Sequence, residues 1–260
     1  MPRTQHPEQR LAEIAARAGA KAALEFYPKK LDYLTKPDTT FVTEADFASE
    51  RAIIRTIRKK FPTDRIISEE SGIIGKDPRS TWIIDPIDGT ANFIHKVPFF
   101  CMSVAFYKDD HPVAAAVYAP MQDEMFSTYK GGRSTLNGEH IHTSSARHLK
   151  DAYIDLYWER KSRTSILTGS RLAKEISIAG GRVRNFGSSA LSICSVACGR
   201  SDAHIHTHIL LHDVAAASLI LKNAGGRISD FCGKGSGTRD GPIIASNGKL
   251  HKQLLPLFKH

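Results

Sequence analysis

Apolar residues recur at helical spacing through residues 7–27 and again through 44–60. The first stretch is alanine-rich and meets Pro28, the second stops short of Pro62, and the pattern predicts two amphipathic helices. Between them LDYLTKPDTTFVTEAD is polar and turn-rich, which predicts a mobile loop beside a site. The period then shortens. RIISEES reads as a short strand that ends in Glu69 and Glu70, and Trp82, Ile83 and Ile84 read as a buried strand that runs straight into Asp85. CMSVAFY, VAAAVYA and EMFSTY predict further strands, and Asn137-Gly138 is a strong two-residue hairpin signal, so this region reads as an antiparallel meander. From about residue 150 helices alternate with strands, including a strand at HIHTHI and a helix from Val214 to Asn223 that stops at Gly225-Gly226. Helices, then an antiparallel sheet, then mixed elements predict an α+β layered architecture. No repeat, linker or low-complexity tract divides the chain, so 1–260 reads as one unit with approximate halves at 1–146 and 147–260.

Composition narrows the class. With 260 residues and 41% hydrophobic composition, the chain can bury a substantial core. Its first residues are polar and charged, and no apolar run approaches the ~18 residues of a membrane span. A cytoplasmic protein without membrane attachment is expected. Cys101, Cys194, Cys198 and Cys232 lack CxxC spacing and sit in apolar or helical contexts, which predicts buried reduced thiols. The net charge of +9 favours anionic ligands, either phosphorylated metabolites or nucleic acid. Its densest cluster, Arg51, Arg55, Arg58, Lys59 and Lys60, alternates with isoleucines at helical spacing and reads as a solvated helix face.

The candidate chemistry is acidic. Asp46, Glu69, Glu70, Asp85, Asp88 and Asp213 all fall at strand ends or helix starts. Singly each has an ordinary explanation, because aspartate before glycine favours turns and aspartate at a helix start caps it; Asp213 alone reads as a cap. Together they would repel strongly unless divalent cations intervened, and oxygen-only ligands suit magnesium or manganese. In DPIDGT, Asp85 and Asp88 can bracket two ions with Asp85 bridging, and the Pro86 turn turns the Ile87 carbonyl toward the same place. Gly89 and Thr90 then open a helix whose free amides can hold phosphate. A metal pair beside such amides suits in-line phosphoryl displacement, with one ion on the attacking water and the other on the leaving oxygen.

DPIDGTANFIHKVPFF closely resembles the central motif of the inositol monophosphatase family. VTEAD, SEES, FGSSA and HDVAAASLILKNAGG extend the resemblance over essentially the whole chain. The resemblance implies a layered αβαβα fold, a homodimer, dependence on Mg²⁺ (two or three ions, with Mn²⁺ as substitute) and inhibition by Li⁺. It implies that Glu69, Asp85 and the Ile87 carbonyl hold the first ion, and that Asp85, Asp88 and Asp213 hold the second. Thr90, its hydroxyl held by Asp46, would work with Glu69 on the attacking water, and the Gly89 and Thr90 amides would bind phosphate. Gly187, Ser188 and Ser189 match the family's substrate-contact turn, and Glu70 falls outside the ligand set.

The chain departs from the family pattern at three places. Ser68 replaces the glycine before the glutamate pair, and His212 replaces the tryptophan before Asp213. His206 stands where inositol-specific members carry a glutamate that binds ring hydroxyls, so His206 is expected to contact substrate, to disfavour myo-inositol 1-phosphate and to favour a substrate with a second anionic group. His204, His206 and His208 share a strand face, a spacing open to a transition metal or to ordinary packing at the substrate pocket or a subunit interface. The expected activity is Mg²⁺-dependent hydrolysis of a small phosphate monoester by metal-activated water. Alternatives are a 3′(2′),5′-bisphosphate nucleotidase, a fructose-1,6-bisphosphatase or a histidinol-phosphate phosphatase. A further reading, a non-catalytic role with RNA or the transcription machinery, comes from the charge and from the part some bacterial members of the family are thought to play.

Overall fold

A computed structural model of the chain describes residues 6–27, 32–36, 41–159, 162–235 and 239–258. The first half contains α1 (Pro7–Leu24), β1 (Tyr33–Thr35), β2 (Phe41–Thr43), α2 (Glu44–Arg58), β3 (Asp64–Ser68), β4 (Gly72–Ile74), β5 (Asp77–Asp88) and α3 (Thr90–Ile94). It continues through the strands β6 (Cys101–Lys108), β7 (His111–Ala119), β8 (Glu124–Tyr129), β9 (Thr135–Leu136) and β10 (Glu139–His140). The second half contains β11 (Tyr153–Tyr157), α4 (Arg163–Ile178), β12 (Arg182–Arg184), α5 (Ser189–Ala197), β13 (Ala203–Ile209), α6 (Leu211–Asn223), β14 (Arg227–Ser229), β15 (Gly241–Ser246) and α7 (His251–Leu254).

Two sheets stack with helices outside and between them. The larger has eight strands in the order β10-β9-β8-β7-β6-β5-β3-β4, antiparallel except where β3 runs parallel to β5. The smaller has five strands in the order β12-β11-β13-β15-β14. β6 shows why the layers form: Met102, Val104 and Phe106 face the core shared with α1 and α2, while Cys101, Ala105 and Tyr107 face the core shared with α5 and α6. A strand whose alternate residues are all apolar must be covered on both faces. β15 repeats the logic, with Ile243 and Ala245 facing the central core and Ile244 facing the outer one with Leu172 and Ile176 of α4 and Leu254 of α7. The result is an αβαβα sandwich, the layered α+β architecture that the pattern predicted in the five-layer form that the family resemblance implied. No helix among the described residues is long and apolar enough to cross a membrane.

The expected strands occur at or within two residues of their predicted positions, except that β5 begins at Asp77, upstream of Trp82, and runs through the whole DPID motif. The two N-terminal helices end a little early, at Leu24 and Arg58, and Pro28 lies outside the described residues. Within the polar stretch 31–46, β1 pairs with β2 and α2 begins at Glu44; Leu31 and residues 37–40 lie outside the described residues. Asn137 and Gly138 take φ of 50° and 86°, as a tight hairpin turn between β9 and β10 requires. The exposed face of α2 carries Arg51, Arg55, Lys59 and Lys60, whereas Arg58 folds back to donate to the carbonyls of Pro62 and Asp64. All four cysteines are unbridged, but burial was expected for all and holds fully for Cys101 and Cys194 only; Cys198 is half-buried and Cys232 lies exposed in the turn after β14.

Candidate active site

The motif sits where β5 ends. Pairing with β6 shifts register between Asp85 and Asp88, and this irregularity brings both aspartates to the end of the larger sheet beside the starts of α5 and α6. Ligand oxygens of Asp85, Asp88 and Asp213 all lie within 4.8 Å of one another. Asp213 occupies the first turn of α6 but makes no capping bond. Burial drives Asp85 well above the usual carboxylate range, with Glu69, Asp88 and Asp213 adding repulsion. Burial likewise pushes Asp213 up to about 7, despite His212 at 3.3 Å, and raises Asp88. Three hard oxygen donors that resist ionising together match the chemistry of a small divalent cation.

Asp88 and Asp85 are held from behind. Asp88 accepts from Ser188 Oγ at 2.5 Å, from the Ala190 amide at 2.7 Å and from the Ser189 amide at 3.1 Å, so it closes the N-terminus of α5. The Cys101 thiol adds a contact at 3.6 Å; burial raises its pKa and keeps it protonated. Asp85 accepts from the Ile87 amide at 3.1 Å. Gly89 takes φ of 99°, and a β-carbon there would lie 3.2 Å from atoms of Phe99, Phe100 and Ser188. Only glycine fits this turn.

One face of α2 reaches both the DPIDGT turn and the turn that carries Glu69. Thr43 and Asp46 form a capping box, and Asp46, pushed up to about 6 by burial, also accepts from Thr90 Oγ1 at 3.1 Å. The same hydroxyl lies 3.1 Å from the Ile87 carbonyl. Ser49, one turn along, donates to the Pro86 carbonyl at 2.8 Å, and Glu50 accepts from Ser71. Asp46, Ser49 and Glu50 continue the buried stripe of Ile53 and Ile57. Polar residues on an otherwise apolar face were the available signal for Ser49 and Glu50, which sequence reasoning passed over.

The expected residues come together with some differences. Glu69, Asp85, Ile87, Asp88, Gly89, Thr90, Gly187, Ser189, His206 and Asp213 line one cleft of about 270 Å³. Ser188 does not line it; buried, it spends its hydroxyl on Asp88 rather than facing a substrate. Glu69 lies outside the group of oxygens within 4.8 Å, although its charge raises Asp85, and it pairs with Lys36 at 2.7 Å, as Glu70 does at 2.6 Å. Burial, then the neighbouring Glu69, pushes Glu70 up to about 7. Burial opposes the charge on Lys36, yet the two glutamates outweigh it and raise its pKa. The helix opened by Gly89 spans only five residues, so its amides act locally rather than through a long dipole.

His206 also differs from expectation. Buried beside His204 and His208, its pKa falls well below 6.5, so the ring is neutral. Its Nδ1 accepts the His208 amide at 3.1 Å, which puts the ring proton on Nε2 and leaves that N–H for a ligand. A neutral donor does not select a second anionic group. The three histidines do not converge: His204 is committed to Asp155 at 2.6 Å, His206 stacks on Tyr157, and a bulge before Ile209 leaves His208 exposed. Phe41, Tyr157 and Glu159 also line the cleft and had no sequence signal, whereas His212, which replaces the family's tryptophan, lines it beside Asp213 on α6.

Fold and site together define a class, a five-layer α+β sandwich that gathers oxygen ligands where a central strand meets helix starts. The inositol monophosphatase family model matches residues 5–260, and the chain belongs to that family. It is 35% identical over 253 residues to the Nus factor SuhB of Escherichia coli strain K12, covering 96% of this chain and 95% of that protein. It is 36% identical over 237 residues to an inositol monophosphatase of Dictyostelium discoideum, covering 88% and 86%. The extragenic suppressor protein suhB from Bartonella henselae superposes with a TM-score of 0.93 at 28% identity, covering 98% and 99% of the two chains.

Proposed function

We propose that this protein is a phosphatase that hydrolyses a small phosphate monoester with Mg²⁺ held by Asp85, Asp88 and Asp213, assisted by Glu69 and the Ile87 carbonyl. The observation that carries the reading is the convergence of three carboxylates within 4.8 Å beside the Gly89-Thr90 turn. Bound there, Mg²⁺ would supply Lewis acidity, lowering the pKa of a water and screening phosphate charge. The chain's own residues do the rest. With its proton directed at Asp46 or the Ile87 carbonyl, Thr90 Oγ1 offers its lone pairs to the attacking water, and the Glu69 carboxylate takes the water's proton; as the new P–O bond forms the ester P–O bond breaks, and the leaving oxygen takes a proton from solvent. The Gly89 and Thr90 amides hold the phosphate. Gly187 and Ser189 border the ester's remainder, and His206 Nε2–H donates to it.

Among the described residues that line the cleft there is no lysine or arginine, and Glu159 adds a carboxylate. A neutral, hydroxylated remainder suits this wall better than a second phosphate, which favours an inositol phosphate or similar polyol ester over bisphosphates. We assign the protein to the cytoplasm as a homodimer. The test is phosphate release in Mg²⁺ from inositol 1-phosphate, glycerol 2-phosphate, histidinol phosphate, fructose 1,6-bisphosphate and 3′-phosphoadenosine 5′-phosphate. Preference for the polyol monophosphates supports the reading, and preference for either bisphosphate refutes the substrate class.

A second reading, association with RNA or the transcription machinery, is favoured by the name of the Escherichia coli relative and by the net charge of +9. Steeply salt-dependent RNA binding that survives Asp88→Asn would support it. Its absence at low salt would remove it.

A further inference from the structure

Ser68 and Ser71 bracket Glu69 and Glu70 in the turn between β3 and β4, and both bind one buried acid. Glu50, 3% exposed on α2, accepts from Ser68 Oγ and from the Ser71 amide at 3.0 Å through Oε1. Its Oε2 accepts from Ser71 Oγ at 2.5 Å. No basic side chain among the described residues pairs with Glu50. A buried carboxylate without a counter-cation is costly, and here three donors offset the cost. All three belong to the short segment that carries Glu69 to the cleft. β3 and β4 pair through Ser68 and Gly72, so Glu50 ties both ends of the turn to the helix that also holds Asp46 and Ser49 against the site.

We propose that Glu50, acting through Ser68 and Ser71, is a positioning residue that fixes Glu69 for cation binding. Ser68 thereby turns its departure from the family's glycine into one strand of the clamp. The inference rests on the metal-dependent reading above. Releasing the turn should weaken the Glu69-dependent cation by about tenfold, which corresponds to about 1.4 kcal/mol.

The experiment is calorimetric titration of the metal-free full chain with MgCl₂, with Glu69→Gln marking the Glu69-dependent heat. Glu50→Ala should weaken that binding about tenfold, while Glu50→Gln, which keeps an acceptor for Ser68 and the Ser71 amide, should stay within about twofold. Should Glu50→Ala fail to fold, the double variant Ser68→Ala/Ser71→Ala, which leaves Glu50 in place, should weaken binding in the same direction. Raising Mg²⁺ should restore turnover in both weakened variants, a recovery that general loosening of the fold would not give. A folded Glu50→Ala or Ser68→Ala/Ser71→Ala chain that binds Mg²⁺ within twofold of the native chain would overturn the clamp. A native chain that takes up no Mg²⁺ would instead overturn the metal-dependent reading, and the clamp with it.

Discussion

Asp213→Asn separates a metal ligand from an ordinary helix-terminal acid. In the folded chain the carboxyl titrates near 7 rather than 3.8, because burial opposes its charge and Asp88 and Glu69 add repulsion. An acid whose pKa is raised on folding costs stability once pH exceeds its unfolded value, and the cost is complete above the folded value. At pH 8 the shift of about three units corresponds to roughly 4 kcal/mol at 1.36 kcal/mol per unit. Asp213 keeps 22% of its side-chain surface in solvent, so screening trims this to about 2–4 kcal/mol. Asparagine removes the charge. In EDTA at pH 8 the variant should therefore melt above the native chain by roughly 4–8 °C, and by less than half as much at pH 5, which lies only about one unit above the unfolded pKa. Mg²⁺ should raise the native melting temperature strongly at pH 8 and that of the variant little, with turnover lost. If Asp213 were only a favourable acid in the first turn of α6, asparagine would lower stability by about 0.5–1 kcal/mol at pH 8. That result, or equal stabilisation of both proteins by Mg²⁺, would refute the reasoning.

Thr90→Val keeps the shape but removes the hydroxyl shared with Asp46 and the Ile87 carbonyl; kcat should fall at least about 100-fold with the circular dichroism spectrum unchanged. Gly89→Ala forces a β-carbon into a left-handed turn 3.2 Å from three neighbours, which should cost about 1–3 kcal/mol in denaturant unfolding and depress turnover. His251 is fully buried between the hydroxyls of Ser229 and Ser246, and its pKa falls from 6.5 to about 4, burial being the main cause and Arg227 a second. Its neutral form is the folded form, so the stability it confers is intact above pH 6.5 and is lost as pH falls toward 4, by about 3 kcal/mol in all. His251→Gln should flatten that part of the stability–pH curve; an unchanged slope between pH 6.5 and 4 would contradict it.

Much of this architecture is legible in the chain because it rests on local rules. The strand that carries Trp82, Ile83 and Ile84 into Asp85 announces itself, since a buried apolar run that ends in acids needs a cationic partner. Asn137-Gly138 sets its own turn. What escaped reading depends on partners far apart in sequence. Ser188 reads as a substrate contact until Asp88, 100 residues earlier, is seen to take its hydroxyl. Glu50 lies 18 residues before Ser68 and looks like one more charge on a charged helix, although it shares a face with Ile53 and Ile57. His206 looks like a cation until burial and the His208 amide make it a neutral donor. Lys36 falls in a polar stretch with no periodicity to place it opposite Glu69 and Glu70.

The most direct test of the central claim is phosphate release from a polyol monophosphate by the native chain as Mg²⁺ is titrated from EDTA-treated protein, with Asp85→Asn alongside. Turnover that is absent in EDTA, rises saturably with Mg²⁺ and is lost in Asp85→Asn is the predicted result. Turnover that persists in EDTA, or that survives in Asp85→Asn, would contradict a cation site built on Asp85, Asp88 and Asp213.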